Sequence, residues 1–241
     1  MGVRFRPGAD LRRLFWLRAE MVYHLCRKTV QFENRVASRM KAIYIFAVSI
    51  AASALAYLIS RLVSGLTDRK VMVLAVAAVS LYGVFLFLMP ENWILINLVV
   101  VSVAGIGGSG LGLLLKTRQS LVIFCIVASI VDIYSVAQGP TSAVVEDYKA
   151  GTSDLLRYLV ISMPVDGSIL PLVGIGDFLI ISAVYFVLIR LKYDRLQLAL
   201  VPLLGLLLAI IIGLQIGGIF AIPFIAATTI AYLHWQEFTR T

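Results

Sequence analysis

Seven apolar runs, each close to the length a helix needs to cross a bilayer, follow one another along this chain. They lie at about 42–61, 71–89, 93–115, 119–138, 169–190, 196–213 and 217–234. A spanning helix takes roughly 20 apolar residues. Lipid offers no partner to backbone N–H and C=O groups, so each run is expected to close its own hydrogen bonds as an α-helix. Composition agrees: 61% of the 241 residues are hydrophobic and the mean hydropathy is +0.96, whereas soluble domains are roughly 45–50% apolar. The expected fold class is therefore an all-α polytopic membrane protein with about seven transmembrane helices. Short polar linkers such as Asp68-Arg69-Lys70, Pro90-Glu91-Asn92 and Lys116-Thr117-Arg118 separate the runs.

Residues 1–41 read differently from residues 42–241. Leu11, Leu14, Phe15, Leu17, Met21, Val22 and Leu25 alternate with Arg12, Arg13, Arg18, Arg27 and Lys28. The pattern suits a basic amphipathic helix at the membrane surface, and a solvated helix or a partner contact fits it too. The same arginines interrupt every early apolar stretch, so no signal peptide is read there. A net charge of +8 and a pI near 9.7 suit the face of a lipid bilayer and point away from nucleic acid. Cys26 and Cys125 suggest neither a disulfide framework nor a zinc site. His24 and His234 are too isolated to hold a metal, and Trp93 and Trp235 fall where interfacial aromatics belong. The ten basic residues of the N-terminal region favour an inside N-terminus, while Arg61, Arg69, Lys70, Lys116, Arg118, Arg190, Lys192 and Arg195 pull the other way.

One connection is long, from about 139 to 168, and a loop of that length in a compact protein is usually functional or disordered. Its second half contains the β-prone run Tyr158-Leu159-Val160-Ile161-Ser162-Met163, then Asp166-Gly167 as a turn, then Ser168-Ile169-Leu170. That order predicts a short hairpin.

Two aspartates lie inside consecutive apolar runs: Asp132, and Asp177 at the end of Gly174-Ile175-Gly176-Asp177. A carboxylate at the centre of a spanning helix costs about 2.5–3.5 kcal/mol even on lenient scales, and such groups are functional by default. Ser129 and Ser135, three positions either side of Asp132, predict a polar face directed into the bundle. Glycines beside Asp177 let backbones approach closely and let the helix bend or start late. Two carboxyls that face each other can divide the labour of peptide hydrolysis, one as base on a water and one as proton donor to the carbonyl. The competing reading is that each aspartate satisfies a hydroxyl or backbone group and only holds helices together.

Gly174-Ile175-Gly176-Asp177-Phe178 resembles the Gly-x-Gly-Asp-Phe segment of presenilins and signal peptide peptidases. Val131-Asp132-Ile133-Tyr134-Ser135-Val136 resembles that family's Tyr-Asp motif, especially in its archaeal members, and Phe220-Ala221-Ile222-Pro223 is similar to its Pro-Ala-Leu segment. The ordered set covers roughly residues 42–234. Val131 stands where the family usually has tyrosine, and Phe220 where it has the first proline. The family commonly has nine spans with the aspartates on the sixth and seventh, against seven here with the aspartates on the fourth and fifth. The resemblance implies an intramembrane aspartyl protease of the cell membrane, N-terminus inside, with Asp132 and Asp177 catalytic. It implies transmembrane proteins or signal peptides as substrates and no metal or organic cofactor. Gly174, Gly176, Phe220, Ala221, Ile222 and Pro223 are the substrate contacts it suggests. The hairpin, through Leu159, Val160 and Ile161, would add its edge to an unwound stretch of substrate.

Other readings compete. Prepilin-type peptidases also carry a Gly-x-Gly-Asp motif, and a transporter or channel could use both aspartates as ion or proton sites. Gly105-Ile106-Gly107-Gly108-Ser109-Gly110 satisfies a dinucleotide-binding string, but no strand precedes it and close helix packing explains it better. Gly108/Gly112 and Gly213/Gly217 read as packing pairs on the same logic.

Overall fold

A computed structural model describes residues 43–88, 92–138, 147, 156–165, 168–193, 195–216 and 221–239. The amphipathic reading of residues 1–41, the Asp166-Gly167 turn, Gly217 and Phe220 lie outside those residues. By internal packing the chain divides into Met1–Ile45 and Phe46–Thr241, and the architecture below is that of the second unit.

Seven long helices and one hairpin make up the described fold. The helices are α1 (Ile43–Ser64), α2 (Asp68–Leu88), α3 (Trp93–Gly112) and α4 (Arg118–Gln138). A single turn, α5 (Leu156–Leu159), leads into β1 (Val160–Val165) and β2 (Ser168–Gly174). Helices α6 (Ile175–Arg190), α7 (Arg195–Ile216) and α8 (Ala221–Phe238) follow. Four of them, α1 to α4, are long and apolar enough to cross a membrane. The run expected as a helix at 169–190 is divided: its first residues form β2, and α6 keeps 16 residues, about 24 Å of rise. Pro171 and Gly174 explain the division, since proline lacks the N–H a helix interior needs and both residues are the poorest helix formers.

Local chemistry sets the helix ends. Asn92 caps α3 by accepting from the Ile94 and Leu95 N–H groups at 3.1 and 3.2 Å. Thr117 and Ser120 exchange reciprocal bonds at the start of α4, each backbone N–H donating to the other's hydroxyl at 3.1 Å, a capping box with serine in place of the usual acid. At the end of α6, Lys192 N–H reaches Ile189 O and Tyr193 N–H reaches Leu188 O. Lys192 takes a left-handed φ of 60° there, as such a two-bond cap requires.

Helix α6 is central. Phe178 and every residue from Ile180 to Leu188 are buried, which is how a helix apolar on all sides behaves. Its tightest neighbour is α3, whose glycines leave no room for side chains. A Cβ on Gly108 would stand 2.2 Å from Leu179 O, and one on Gly112 2.7 Å from the Phe186 ring. The packing reading of Gly108/Gly112 holds. Hydroxyls tie the helices together where apolar surface alone gives little preference in lipid. Ser53 and Tyr185 hydroxyls bond at 2.8 Å, the Tyr185 hydroxyl donates to Ala199 O at 3.0 Å, and Ser60 donates to Ser182 O at 3.3 Å.

Ion pairs mark one end of the bundle. Arg190, closing α6, meets Asp68 at the start of α2 at 2.5 Å and lies over the Phe186 ring, while Arg118 on α4 meets Glu237 on α8 at 2.8 Å. The opposite end gathers the C-termini of α2 and α4 and the N-termini of α3, α6 and α8. The hairpin belongs to that end.

Candidate active site

Asp132 lies six residues from the end of α4, about 9 Å in. Asp177 occupies the first turn of α6. Both are half-buried, on two helices that touch, and the charge of Asp132 reaches Asp177. The two sequence-predicted residues therefore come together, on adjacent elements at the hairpin end of the bundle.

Each carboxylate takes one backbone donor. Asp177 Oδ2 accepts from the Gly174 N–H at 3.0 Å, so the aspartate reaches back to the residue that caps its own helix. Asp132 Oδ2 accepts from the Ile222 N–H at 3.3 Å. Ile222 is the second residue of α8, whose first N–H groups have no partner inside the helix, so Asp132 serves α8 as a cap supplied from a neighbouring helix. The positive ends of two helix dipoles thus point at the pair and favour negative charge there. Among the described residues, Oδ1 of neither aspartate is engaged, which leaves one oxygen of each for a water or a substrate.

The glycines divide in role. A Cβ on Gly174 would stand 3.3 Å from Asp177 Oδ2, whereas one on Gly176 would meet nothing within 4 Å. Gly174 has φ −70° and ψ 152°, an extended conformation open to any residue, so its smallness serves the carboxylate and not the backbone. Gly176 is exposed beside open space. The late helix start expected of this segment is present, at Ile175.

Ala221 and Ile222 are buried and Pro223 is half-buried. Pro223 falls in the first turn of α8, where a missing N–H costs nothing. Ser129 turns its hydroxyl to the Cys125 carbonyl of its own helix at 2.7 Å, and Ser129, Asp132 and Ser135 are half-buried while Ile130, Val131, Ile133 and Tyr134 are exposed.

The hairpin is antiparallel, pairing Val160 with Gly174, Ile161 with Val173, Ser162 with Pro171, Met163 with Leu170, Pro164 with Ile169 and Val165 with Ser168. A bulge between Ile161 and Ser162 leaves Leu172 as the extra residue. Leu159, expected in the strand, ends α5 instead. β2 extends beyond the expected Ser168-Ile169-Leu170 and runs straight into α6, so β2 is the strand that leads to Asp177. Val160 and Ile161 are buried in β1. One contact holds α5 and one holds β1 against the bundle: the Tyr82 hydroxyl of α2 donates to the Tyr158 carbonyl, and the Asn97 side chain of α3 pairs with Ser162. Sequence reasoning passed over Asn97. Its signal was a lone amide in the apolar run Ile94-Leu95-Ile96-Asn97-Leu98.

The chain matches no protein-family model, and neither curated proteins nor solved structures yield a match.

Proposed function

We propose that this protein is an intramembrane aspartyl protease of the presenilin and signal peptide peptidase type, hydrolysing peptide bonds in transmembrane helices or signal peptides. Helices α1–α4 and α6–α8 would each cross the cell membrane in this reading, making it a multi-pass enzyme. One observation carries the proposal: two half-buried carboxylates, Asp132 of α4 held by the Ile222 N–H and Asp177 of α6 held by the Gly174 N–H, lie at the same end of the bundle, where β2 runs into the helix bearing Asp177. The chemistry follows from that pairing. One ionised carboxylate removes a proton from water as the water attacks the scissile carbonyl, and its protonated partner donates to the carbonyl oxygen. The proton then passes to the leaving nitrogen as the C–N bond breaks. The glycine beside open space, Gly176, leaves room for the substrate main chain next to Asp177.

The test is cleavage of a transmembrane substrate by the purified full chain in proteoliposomes, with fragments read by mass spectrometry. Wild type should release discrete fragments, and the Asp132→Asn and Asp177→Asn variants none. Fragments persisting in the doubly substituted protein would overturn the reading. Ion uptake by the vesicles without any cleavage would move the two aspartates to a transport role.

A further inference from the structure

Helix contacts divide the bundle into two sets. Helix α3 packs broadly on α2, α6 and β1, and α1 joins them through Ser53, Ile59 and Ser60. Helix α8 packs broadly on α4 and α7. Close approach tightens each set from within. Gly108 and Gly112 bring α3 onto α6, and a Cβ on Gly205 of α7 would stand 2.5 Å from Ile225 Cα of α8. Polar ties do the same: Arg190 meets Asp68 in the first set, while Arg118 meets Glu237 and Gln236 donates to Gln197 at 2.8 Å in the second. The contacts of α6 with α4, α7 and α8 are narrower. They form a seam, and the two aspartates stand on opposite sides of it, Asp177 on α6 and Asp132 on α4.

A buried hydroxyl bridges that seam. Tyr185 of α6, 1% exposed, donates to Ala199 O of α7 at 3.0 Å. A carbonyl inside a helix ordinarily has its own donor four residues on. Pro202 interrupts this in α7: it offers no N–H to Leu198 O, and its ring pushes on the turn that holds both carbonyls. In lipid such an opened turn takes donors from a neighbouring helix, and Tyr185 supplies one. The phenol has a single proton. With that proton given to Ala199, the 2.8 Å bond between the Ser53 and Tyr185 hydroxyls must run from Ser53 to Tyr185. A chain of donors therefore leads from α1 through α6 to α7. The Tyr57 ring stands edge-on to Tyr185 with centroids 5.4 Å apart and holds the phenol from the α1 side.

We infer that Tyr185 is a positioning residue: its proton fastens the helix set bearing Asp177 to the set bearing Asp132, and so fixes how far apart the two carboxyls stand. It acts through the helices, about 12 Å along α6 from Asp177. That the separation governs hydrolysis rests on the proteolytic reading above; the fastening does not.

The test compares the wild-type full chain with Tyr185→Phe, which keeps the ring and loses the proton, and with Ser53→Ala, which leaves the bond to Ala199 in place. Spin labels at Leu81 of α2 and Leu208 of α7, both exposed, report the distance between the sets in proteoliposomes, with Cys26 and Cys125 replaced. Tyr185→Phe should lengthen and broaden that distance, and Ser53→Ala should leave it near wild type. Tyr185→Phe should also lower kcat by roughly 10–100-fold with KM unchanged, since a displacement of about 1 Å costs on the order of the upper figure. The loss should be the same on a transmembrane substrate and on a short pre-extended peptide, because the carboxyls and not substrate capture are disturbed. An unchanged distance in Tyr185→Phe overturns the inference, whatever the activity. Equal broadening in Ser53→Ala also overturns it, by placing the hold within the first set. If wild type cleaves and the distance opens in Tyr185→Phe while kcat stays, the carboxyl separation is not set there, and the inference falls while the protease reading stands. If wild type cleaves nothing, the protease reading fails, and the distance measurement still decides the fastening.

Discussion

At the scale of single residues, each aspartate gives one oxygen to a backbone donor, and on the proteolytic reading the other would serve the chemistry. Asn in place of Asp177 keeps an acceptor for the Gly174 N–H, and Asn in place of Asp132 keeps one for Ile222. Both variants should therefore fold, with melting in detergent close to wild type, while cleavage falls by about 10²–10⁴-fold or more. Asp177→Ala should in addition lose about 1 kcal/mol of stability, the value of an acidic group at a helix start. The rate should follow a bell-shaped pH profile whose limbs belong to the pair. On the acid side no base remains, and on the alkaline side no proton donor remains, so a flat profile with chemistry rate-limiting would refute the shared water. Gly174→Ala should impair cleavage more than Gly176→Ala, because only the first brings a methyl against the Asp177 oxygen. Kinetics on a short peptide would rank the two. The aspartates were legible in the sequence because an ionisable group in an apolar run has few innocent explanations. Their backbone partners were not, since the donors are main-chain N–H groups placed by the fold.

At the scale of elements, N–H direction alternates along each strand of the hairpin, with that of Ser162 turned to Asn97, and this makes proline a ruler. Ile161→Pro removes an inward N–H and breaks the ladder, whereas Val160→Pro spares the ladder because that N–H points out. Ile169→Pro likewise leaves the ladder intact yet deletes an outward donor of β2. Its expected signature is slower cleavage of transmembrane helices with much smaller loss on pre-extended short peptides, measured as the ratio of the two kcat/KM values. Equal effects at all three positions would mean that this phase assignment is wrong. Between α3 and α6, Gly108→Ala should destabilise by about 1–3 kcal/mol, because its Cβ meets backbone that cannot yield. Gly105→Ala meets only the Ile59 side chain, at 3.0 Å, and should cost less. The sequence announced the hairpin through its β-prone run and turn dipeptide. It did not reveal where β2 ends, because Ile169-Leu170-Pro171-Leu172-Val173 is apolar whether extended or helical. How β1 meets α3 depends on the Asn97–Ser162 pair, a relation between residues 65 positions apart.

At the scale of the whole molecule, helix alternation separates two ends. The turns at Thr117 and Lys192 belong to the ion-paired end, and Asn92 belongs to the hairpin end. With Cys26 and Cys125 replaced, single cysteines at Thr117 and Lys192 should react with an impermeant thiol reagent from one side of sealed vesicles, and one at Asn92 from the other. Labelling of all three from the same side would contradict this arrangement. The helical fold class was readable from hydropathy alone, because lipid leaves the backbone so few options. The spans themselves were less so. The fifth run is a strand joined to a 16-residue helix, and hydropathy does not distinguish that composite from one long helix. The composite has a consequence of its own. On the proteolytic reading, carbonyls along the outer side of β2 could not be left against hydrocarbon, so between turnovers they would be wetted. A small reservoir of solvent would thereby be held beside Asp177, and an arriving peptide would displace part of it. In that reading the groups that greet the peptide would be the same ones that keep the hydrolytic reagent in store.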